Sequence, residues 1–150
     1  MFRAFSDQMT GSSDLHATLR REVVDYMRRN REDFEPFVVD ETSFDRHLEL
    51  LAQDGTFGGN DSIVAFSRLK DATVVIHQLN EPLWQVRSDE SKSKIELHIS
   101  YHNGDHYNSV RKLNEARNLR VPANVSLNVI MLMEDHVKKK TSWRFLFLRT

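Results

Sequence analysis

The 150-residue sequence contains no cysteine. This absence excludes disulfide bonds, thiolate metal sites and any thiol nucleophile within the chain. Long apolar runs are also missing, since no stretch approaches the ~20 residues that a membrane-spanning helix requires. The formal net charge is only −1, which argues against partners recruited by bulk charge, such as nucleic acid or an anionic membrane. We therefore expect a soluble protein of a reducing compartment, the cytoplasm or the nucleus, with no nucleic-acid or membrane partner.

Hydrophobic periodicity divides the chain into a helical part and a strand-rich part. Four helices are predicted: one over Phe2–Met9, one from Ser13 or Asp14 to about Arg31, one capped by Ser43, and one beginning at Asn60 or Asp61. Four strands are predicted at Thr73–Leu79, Leu83–Arg87, Ile95–Tyr101 and His106–Leu113, with a hairpin loop over Ser88–Lys94. Helices followed by strands favour an α+β fold, in which a small, mostly antiparallel sheet packs against helices.

The pair His106 and Asn108 is the first candidate for catalysis. Residues two apart on a strand point to the same face, so the amide of Asn108 is expected beside the ring of His106. The amide oxygen could accept from one imidazole N–H and leave the other nitrogen as a base, which is the His–Asn half of a Cys-His-Asn triad. The spacing leaves open the plainer alternative that a strand histidine simply makes local hydrogen bonds.

Two further patterns suggest other sites less strongly. His98, His102 and His106 are spaced by four, but on strands we expect them to point in different directions, so neither a metal nor another cofactor is expected. The glycine-rich segment 54–59 lacks the lysine and spacing of a phosphate-binding loop. Its adjacent glycines suit the close passage of an extended peptide along the backbone.

Five blocks in order resemble the ovarian-tumour (OTU) domain family: FRAFSDQ, REDFEPFV, DGTFGGNDSIVAF, VVIHQLNEPLWQV and ELHISYHNGDHYNSVR. They span residues 1–113, which the resemblance identifies as an OTU domain, and residues 114–150 are then a divergent tail. The resemblance implies a papain-like cysteine protease fold and removal of ubiquitin from lysine side chains. It implies ubiquitin or polyubiquitin as partner, no cofactor, and a monomeric chain.

The resemblance also implies roles for individual residues. His106 matches the catalytic histidine, and Asn108 matches the residue that orients it, where near relatives more often have Asp. The substrate-binding positions implied by the resemblance are Gly55, Thr56, Phe57, Gly58, Gly59, Asn60 and Tyr107.

The chain departs from the family at its start. The family reads Asp-Gly-Asn-Cys-Leu-Phe-Arg-Ala, and Met1 stands where its leucine would be. We expect the chain as written to be inactive, because it holds no nucleophilic cysteine. Three interpretations stay open: part of an active deubiquitinase whose preceding segment is missing, a ubiquitin-binding module that does not cut, or a product without function. An in-frame upstream segment encoding Asp-Gly-Asn-Cys would favour the first.

Overall fold

The computed structural model describes residues 1–38, 42–88, 95–112, 122–123 and 125. The helices are α1 (Phe2–Thr10), α2 (His16–Arg29), α3 (Arg31–Phe34), α4 (Phe44–Leu51) and α5 (Asn60–Lys70). The strands are β1 (Thr73–Gln78), β2 (Trp84–Val86), β3 (Glu96–His102) and β4 (His106–Ser109). Within this described part, no helix combines the length and apolar character needed to cross a membrane. The prediction of a tail at 114–150 lies outside the described residues except at 122, 123 and 125.

The predicted helix boundaries follow from local chemistry in α1 and α4. Gly11 ends α1 in the left-handed conformation at φ 76°, which glycine adopts without a steric penalty. Ser43 begins α4, because its hydroxyl accepts a hydrogen bond from the backbone N–H of Arg46 at 3.3 Å. Both helices bury the face that their spacing predicts.

The second predicted helix is shorter than expected at both ends. It begins at His16, and the preceding Leu15 is 45% exposed. It ends at Arg29, because Asn30 leaves the helical conformation at φ −115° and ψ 44° before the short helix α3 begins. The apolar periodicity continues across this break, so it could not reveal the break.

The sheet has the order β2-β1-β3-β4. β1 pairs antiparallel with β2 and parallel with β3, and β3 pairs antiparallel with β4. The mostly antiparallel sheet is thus confirmed, but the expected hairpin between β2 and β3 is wrong, since the two strands lie on opposite sides of β1. Of the loop predicted between them, 89–94 lie outside the described residues.

The helices and the sheet share an apolar core, to which α1, α2, α4, α5, β1 and β3 contribute buried side chains. The rings of Phe5 and Phe66 stack with centroids 3.9 Å apart, which joins α1 to α5. α1 is also tied to the sheet by the buried side chain of Gln8, which donates to the carbonyl oxygen of Val110 at 2.7 Å. The last turn of α1 is therefore held against the end of β4, the strand that carries His106.

Candidate functional site

A cleft of about 620 Å³ opens where the two halves of the chain meet. Its walls are the first turn of α1, one side of α2, the loop at 54–58, and the turn from β3 into β4. Seven of the nine predicted site residues line it: Gly55, Thr56, Phe57, Gly58, His106, Tyr107 and Asn108. The structure therefore brings together residues that are about fifty positions apart in the sequence.

His106 is the first residue of β4 and is accessible from the cleft. The preceding turn reverses the chain through left-handed conformations at Asn103, φ 56°, and Gly104, φ 83°. The side chain of His106 is 60% exposed, and its Nε2 lies 3.2 Å from a carboxylate oxygen of Asp105. An exposed imidazole beside a carboxylate can exchange protons with a bound substrate.

Asn108 is hydrogen-bonded differently from the sequence-based expectation. Its Nδ2 donates to Nε2 of His102 at 2.8 Å, whereas the expectation was that the amide oxygen accepts from the ring of His106. The reason lies in the β3–β4 pairing, in which His102 stands opposite His106 and diagonally across from Asn108. A diagonal neighbour across a hairpin is within side-chain reach, as is a residue two positions along the same strand, and spacing alone cannot choose between them. The catalytic roles of His106 and Asn108 stay predictions.

The three histidines spaced by four separate into two environments. The rings of His102 and His106 lie side by side, with centroids 5.8 Å apart, contrary to the expectation that all three diverge. His98 is fully buried, and its Nδ1 is 2.8 Å from Nε2 of His77. Nowhere in the described ranges do three histidine, aspartate or glutamate side chains come close enough to hold a metal ion.

The glycine-rich loop borders the cleft for most of its length. Gly55 has φ +84°, a conformation that L side chains rarely adopt. Gly58 packs against the side chain of Met1 so closely that a Cβ atom there would collide with it. Between them, the side chain of Phe57 is 67% exposed. The loop therefore presents an aromatic ring at the rim and bare backbone inside the cleft.

Gly59 and Asn60 belong to a neighbouring cavity. This second cavity, of about 540 Å³, lies between α3, α4 and the start of α5. It also holds a pair that sequence inspection did not find, His47 Nε2 and Asp61 Oδ2 at 2.7 Å, which links α4 to α5. These two predicted substrate-binding residues thus line a different cavity from the other seven.

Tyr107 faces away from the two polar residues that flank it. Its ring lies against Tyr101, with centroids 4.9 Å apart, and packs on the edge of the apolar core. Burial, and to a smaller extent Tyr101, raises the pKa of the Tyr107 hydroxyl, which keeps it neutral. Tyr107 therefore contributes an apolar wall to the cleft.

Sequence inspection gave no individual role to the charged residues on the walls formed by α1, α2 and the loop at 54–58. Asp54 lies 3.6 Å from Nδ1 of His16 and 4.0 Å from Arg3. Arg20, on α2, is only 7% exposed. A signal for it exists, because Arg20 stands three, four and seven positions before buried apolar residues of α2, so a cation occupies the apolar stripe.

The family model for OTU-like cysteine proteases matches residues 1–107. The chain belongs to the OTU family. The OTU domain-containing protein 3 of Mus musculus is 51% identical over 140 residues, which cover 93% of this chain and 35% of that protein. The OVARIAN TUMOR DOMAIN-containing deubiquitinating enzyme 7 of Arabidopsis thaliana is 39% identical over 115 residues, covering 77% of this chain and 31% of that enzyme. The chain thus spans about a third of the length of these relatives.

Solved OTU domains share the architecture described above. The OTU domain of OTUD1 superposes with a TM-score of 0.62 at 22% identity, covering 72% of this chain and 75% of that one. An ovarian tumor domain solved in complex with ubiquitin superposes with a TM-score of 0.60 at 20% identity, covering 72% and 60%. These likenesses confirm the α+β, papain-like OTU fold expected from the sequence.

Proposed function

We propose that this chain forms the ubiquitin-binding and histidine-bearing part of a thiol-dependent deubiquitinase. The observation that carries the proposal is the cleft itself, in which the exposed imidazole of His106, the glycine-rich loop and the first turn of α1 face one another. The resemblance supports it independently, because the OTU family places its cysteine immediately before this helix. At a helix N-terminus the partial positive charge favours a thiolate.

The reaction supported by this arrangement is acyl transfer. A thiolate attacks the carbonyl carbon of the C-terminal glycine of ubiquitin, and His106 gives a proton to the lysine amine as the isopeptide bond breaks. Water then attacks the resulting thioester, with His106 accepting a proton from the water and the cysteine leaving as thiolate. The exposed backbone at Gly55, where a Cβ atom would meet nothing within 4 Å, leaves room for the extended tail of ubiquitin beside the loop.

The 150-residue chain contains no cysteine, so we propose that the chain by itself binds ubiquitin without hydrolysing it. Loss of the nucleophile from a catalytic triad costs on the order of 10⁶-fold in rate. The binding surface is formed by residues that are present. Ubiquitin, alone or in chains, is the partner proposed for the cleft.

Binding can be tested directly with the unaltered chain. We expect saturable binding of ubiquitin by isothermal titration calorimetry, and a weaker complex for Phe57→Ala, because the exposed ring at the rim is lost. Gln53→Ala, a change at an exposed residue outside the cleft lining, is the matched control and should leave the affinity unchanged. Absence of saturable binding by the unaltered, folded chain would contradict the proposal.

Hydrolysis can be tested by adding the segment that the family carries. A chain extended at its start by Asp-Gly-Asn-Cys should cleave ubiquitin chains, and His106→Ala in the extended chain should abolish cleavage. Because the His106 side chain is 60% exposed, this substitution should leave the melting temperature unchanged, so the loss can be assigned to chemistry. Cleavage that survives His106→Ala, or cleavage by the unextended chain, would refute the assignment.

A further inference from the structure

Arg20 holds the glycine-rich loop through its backbone. Its Nη1 donates to the carbonyl oxygen of Leu51 at 2.7 Å and to that of Thr56 at 3.0 Å. Its Nη2 donates to the same Thr56 oxygen at 3.0 Å. The planar guanidinium therefore bridges the last residue of α4 and the middle of the loop, a fork that a lysine ammonium cannot reproduce.

The same guanidinium connects the loop to the first turn of α1. Its carbon Cζ lies 4.6 Å from the centre of the Phe2 ring, within the range of a cation–π contact. Arg20, on α2, thus contacts both the first turn of α1 and the loop. Phe2, Arg20 and Thr56 all line the cleft.

Packing alone does not account for a cation at this position. Burial lowers the pKa of Arg20, which records the cost of removing the charge from water, while the carboxylate of Asp54 acts in the opposite direction. Within the described part of the chain, its Nε–H is buried without a hydrogen-bond partner, so the site is also imperfectly satisfied. An apolar side chain would fill a core position at lower cost.

Arg20 holds the middle of a loop whose ends have contacts of their own, the ion pairs of Asp54 at one end and the packing of Gly58 against Met1 at the other. Two of the loop's five residues are glycines, Gly55 and Gly58, and Gly55 is in the left-handed region. A chain with so much backbone freedom loses more entropy on ordering than one with side chains. The two bonds to the Thr56 carbonyl lie next to Phe57, the exposed residue at the rim.

We propose that Arg20 is a positioning residue that clamps the loop at 54–58 in the conformation that keeps the cleft formed. The link from this clamp to ubiquitin rests on the proposed function, whereas the clamp itself does not. Without it, the loop samples conformations in which the Phe57 ring and the bare backbone no longer face the cleft together.

Limited proteolysis tests the clamp without ubiquitin. Chymotrypsin cuts after phenylalanine, and among the described residues Phe57 at 67% and Phe37 at 72% are comparably exposed. In Arg20→Lys we expect cleavage after Phe57 to accelerate about ten-fold or more, since weakening a hydrogen bond from a charged donor shifts a local opening equilibrium by roughly that factor. Cleavage after Phe37 serves as the internal reference and should keep its rate.

Two further variants test whether the effect comes from the hydrogen bonds of the Arg20 guanidinium or from its charge and packing. Arg21→Lys, the same change at an exposed neighbour on α2, should leave both cleavage rates unchanged. Arg20→Met keeps an unbranched stem but no donors, and should accelerate cleavage at Phe57 as Arg20→Lys does. Equal acceleration at Phe37 and Phe57, or no acceleration in either Arg20 variant, would overturn the proposal.

A measurement on the unaltered chain covers the case in which the Arg20 variants do not fold. In nuclear magnetic resonance spectra, the Nη protons of Arg20 should be separately resolved and exchange slowly with water, because carbonyl oxygens hold them. Those of Arg21 should be averaged by rotation and fast exchange. Averaged Arg20 signals would refute the clamp.

Ubiquitin binding then tests the link to function separately. If the unaltered chain binds ubiquitin, Arg20→Lys should weaken binding about as much as it opens the loop. A chain that shows the proteolysis effect but binds no ubiquitin would refute the proposed function and leave the clamp standing. Selective loop opening with unchanged ubiquitin affinity would refute the link between the two.

Discussion

The buried pair His77 and His98 should make folding depend on pH between 7 and 5. Nε2 of His77 and Nδ1 of His98 are 2.8 Å apart, so one nitrogen must donate and the other accept. Burial, and secondarily the charge on His98, lowers the pKa of His77 from 6.5 to about 4. Burial also lowers the pKa of His98, against the opposing effect of the Glu96 carboxylate 3.6 Å from its Nε2.

The sign follows from which state binds more protons. Between pH 4 and 6.5 the unfolded chain protonates His77 while the folded chain leaves it neutral, so stability is complete above pH 6.5 and falls as the pH drops toward 4. With 1.36 kcal/mol for each pKa unit, lowering the pH from 7 to 5 removes about 2 kcal/mol through His77. His98 acts in the same direction. Such a loss is a large part of the stability of an ordinary domain, about 5–15 kcal/mol.

Urea denaturation at pH 7 and pH 5 measures this contribution. His77→Gln keeps a hydrogen-bonding side chain that does not titrate, so its loss of stability between the two pH values should be about 2 kcal/mol smaller than that of the unaltered chain. Val74→Ala is the control, since it weakens the same strand, at a fully buried position, without removing a titrating group. It should lower stability at both pH values and keep the full pH-dependent loss. An identical loss in His77→Gln and the unaltered chain would show that His77 does not carry the pH dependence.

Three substitutions test the local contacts, each by urea denaturation at pH 7. Gln8→Ala should cost about 2–3 kcal/mol, because it leaves the buried backbone N–H of His98 without its acceptor; a cost no larger than that of the exposed control Gln53→Ala would contradict this. Ser43→Ala should cost about 1 kcal/mol through loss of the α4 cap, and Ser43→Asp should restore most of it. Asp71→Gly should stabilise by up to about 1 kcal/mol, since Asp71 ends α5 at φ 46°, and destabilisation would show that its side chain matters more than its backbone.

Local features of the fold could be predicted because their causes are local. The cap at Ser43 depends on an N–H three residues away. The alternation of apolar and polar residues in β3, by contrast, did not indicate that the polar His98 and Ser100 are buried as well. The start of α1, the start of α4 and the strand positions were accordingly predictable to within a few residues. The sheet order was not predictable, because no residue pattern in β2 or β3 indicates that the two strands pair with opposite edges of β1.

The site divides in the same way. The glycine-rich loop and His106 are recognisable from residue types that stand together in the sequence. The contacts that position them are not recognisable in the sequence. Arg20 and Thr56 are thirty-six positions apart, and Asn108 bonds to His102 because the two residues are diagonal neighbours on paired strands. Spacing along one strand cannot reveal a competing acceptor on its neighbour.

The shape of the cleft depends on hydrogen bonds that do not involve a nucleophile. The side chain of Gln8, 1% exposed, accepts from the backbone N–H of His98 at 2.7 Å and donates to Ser109 and Val110 at 2.7 Å each. These bonds satisfy a buried amide and fix α1 to the hairpin formed by β3 and β4. The pair Asp7 and Arg111, at 2.8 Å, repeats the connection one residue earlier in the helix.

The orientation of α1 relative to His106 is therefore set by contacts within the described chain. A cysteine placed just before α1 would meet a partner that is already positioned, and catalysis benefits most from groups that need no rearrangement. Binding and chemistry are then separable in this fold: the loop, the hairpin and α1 form the cleft, and the nucleophile is a single addition at its edge. For that reason a chain without a thiol can retain the surface that we propose for ubiquitin while lacking the reaction.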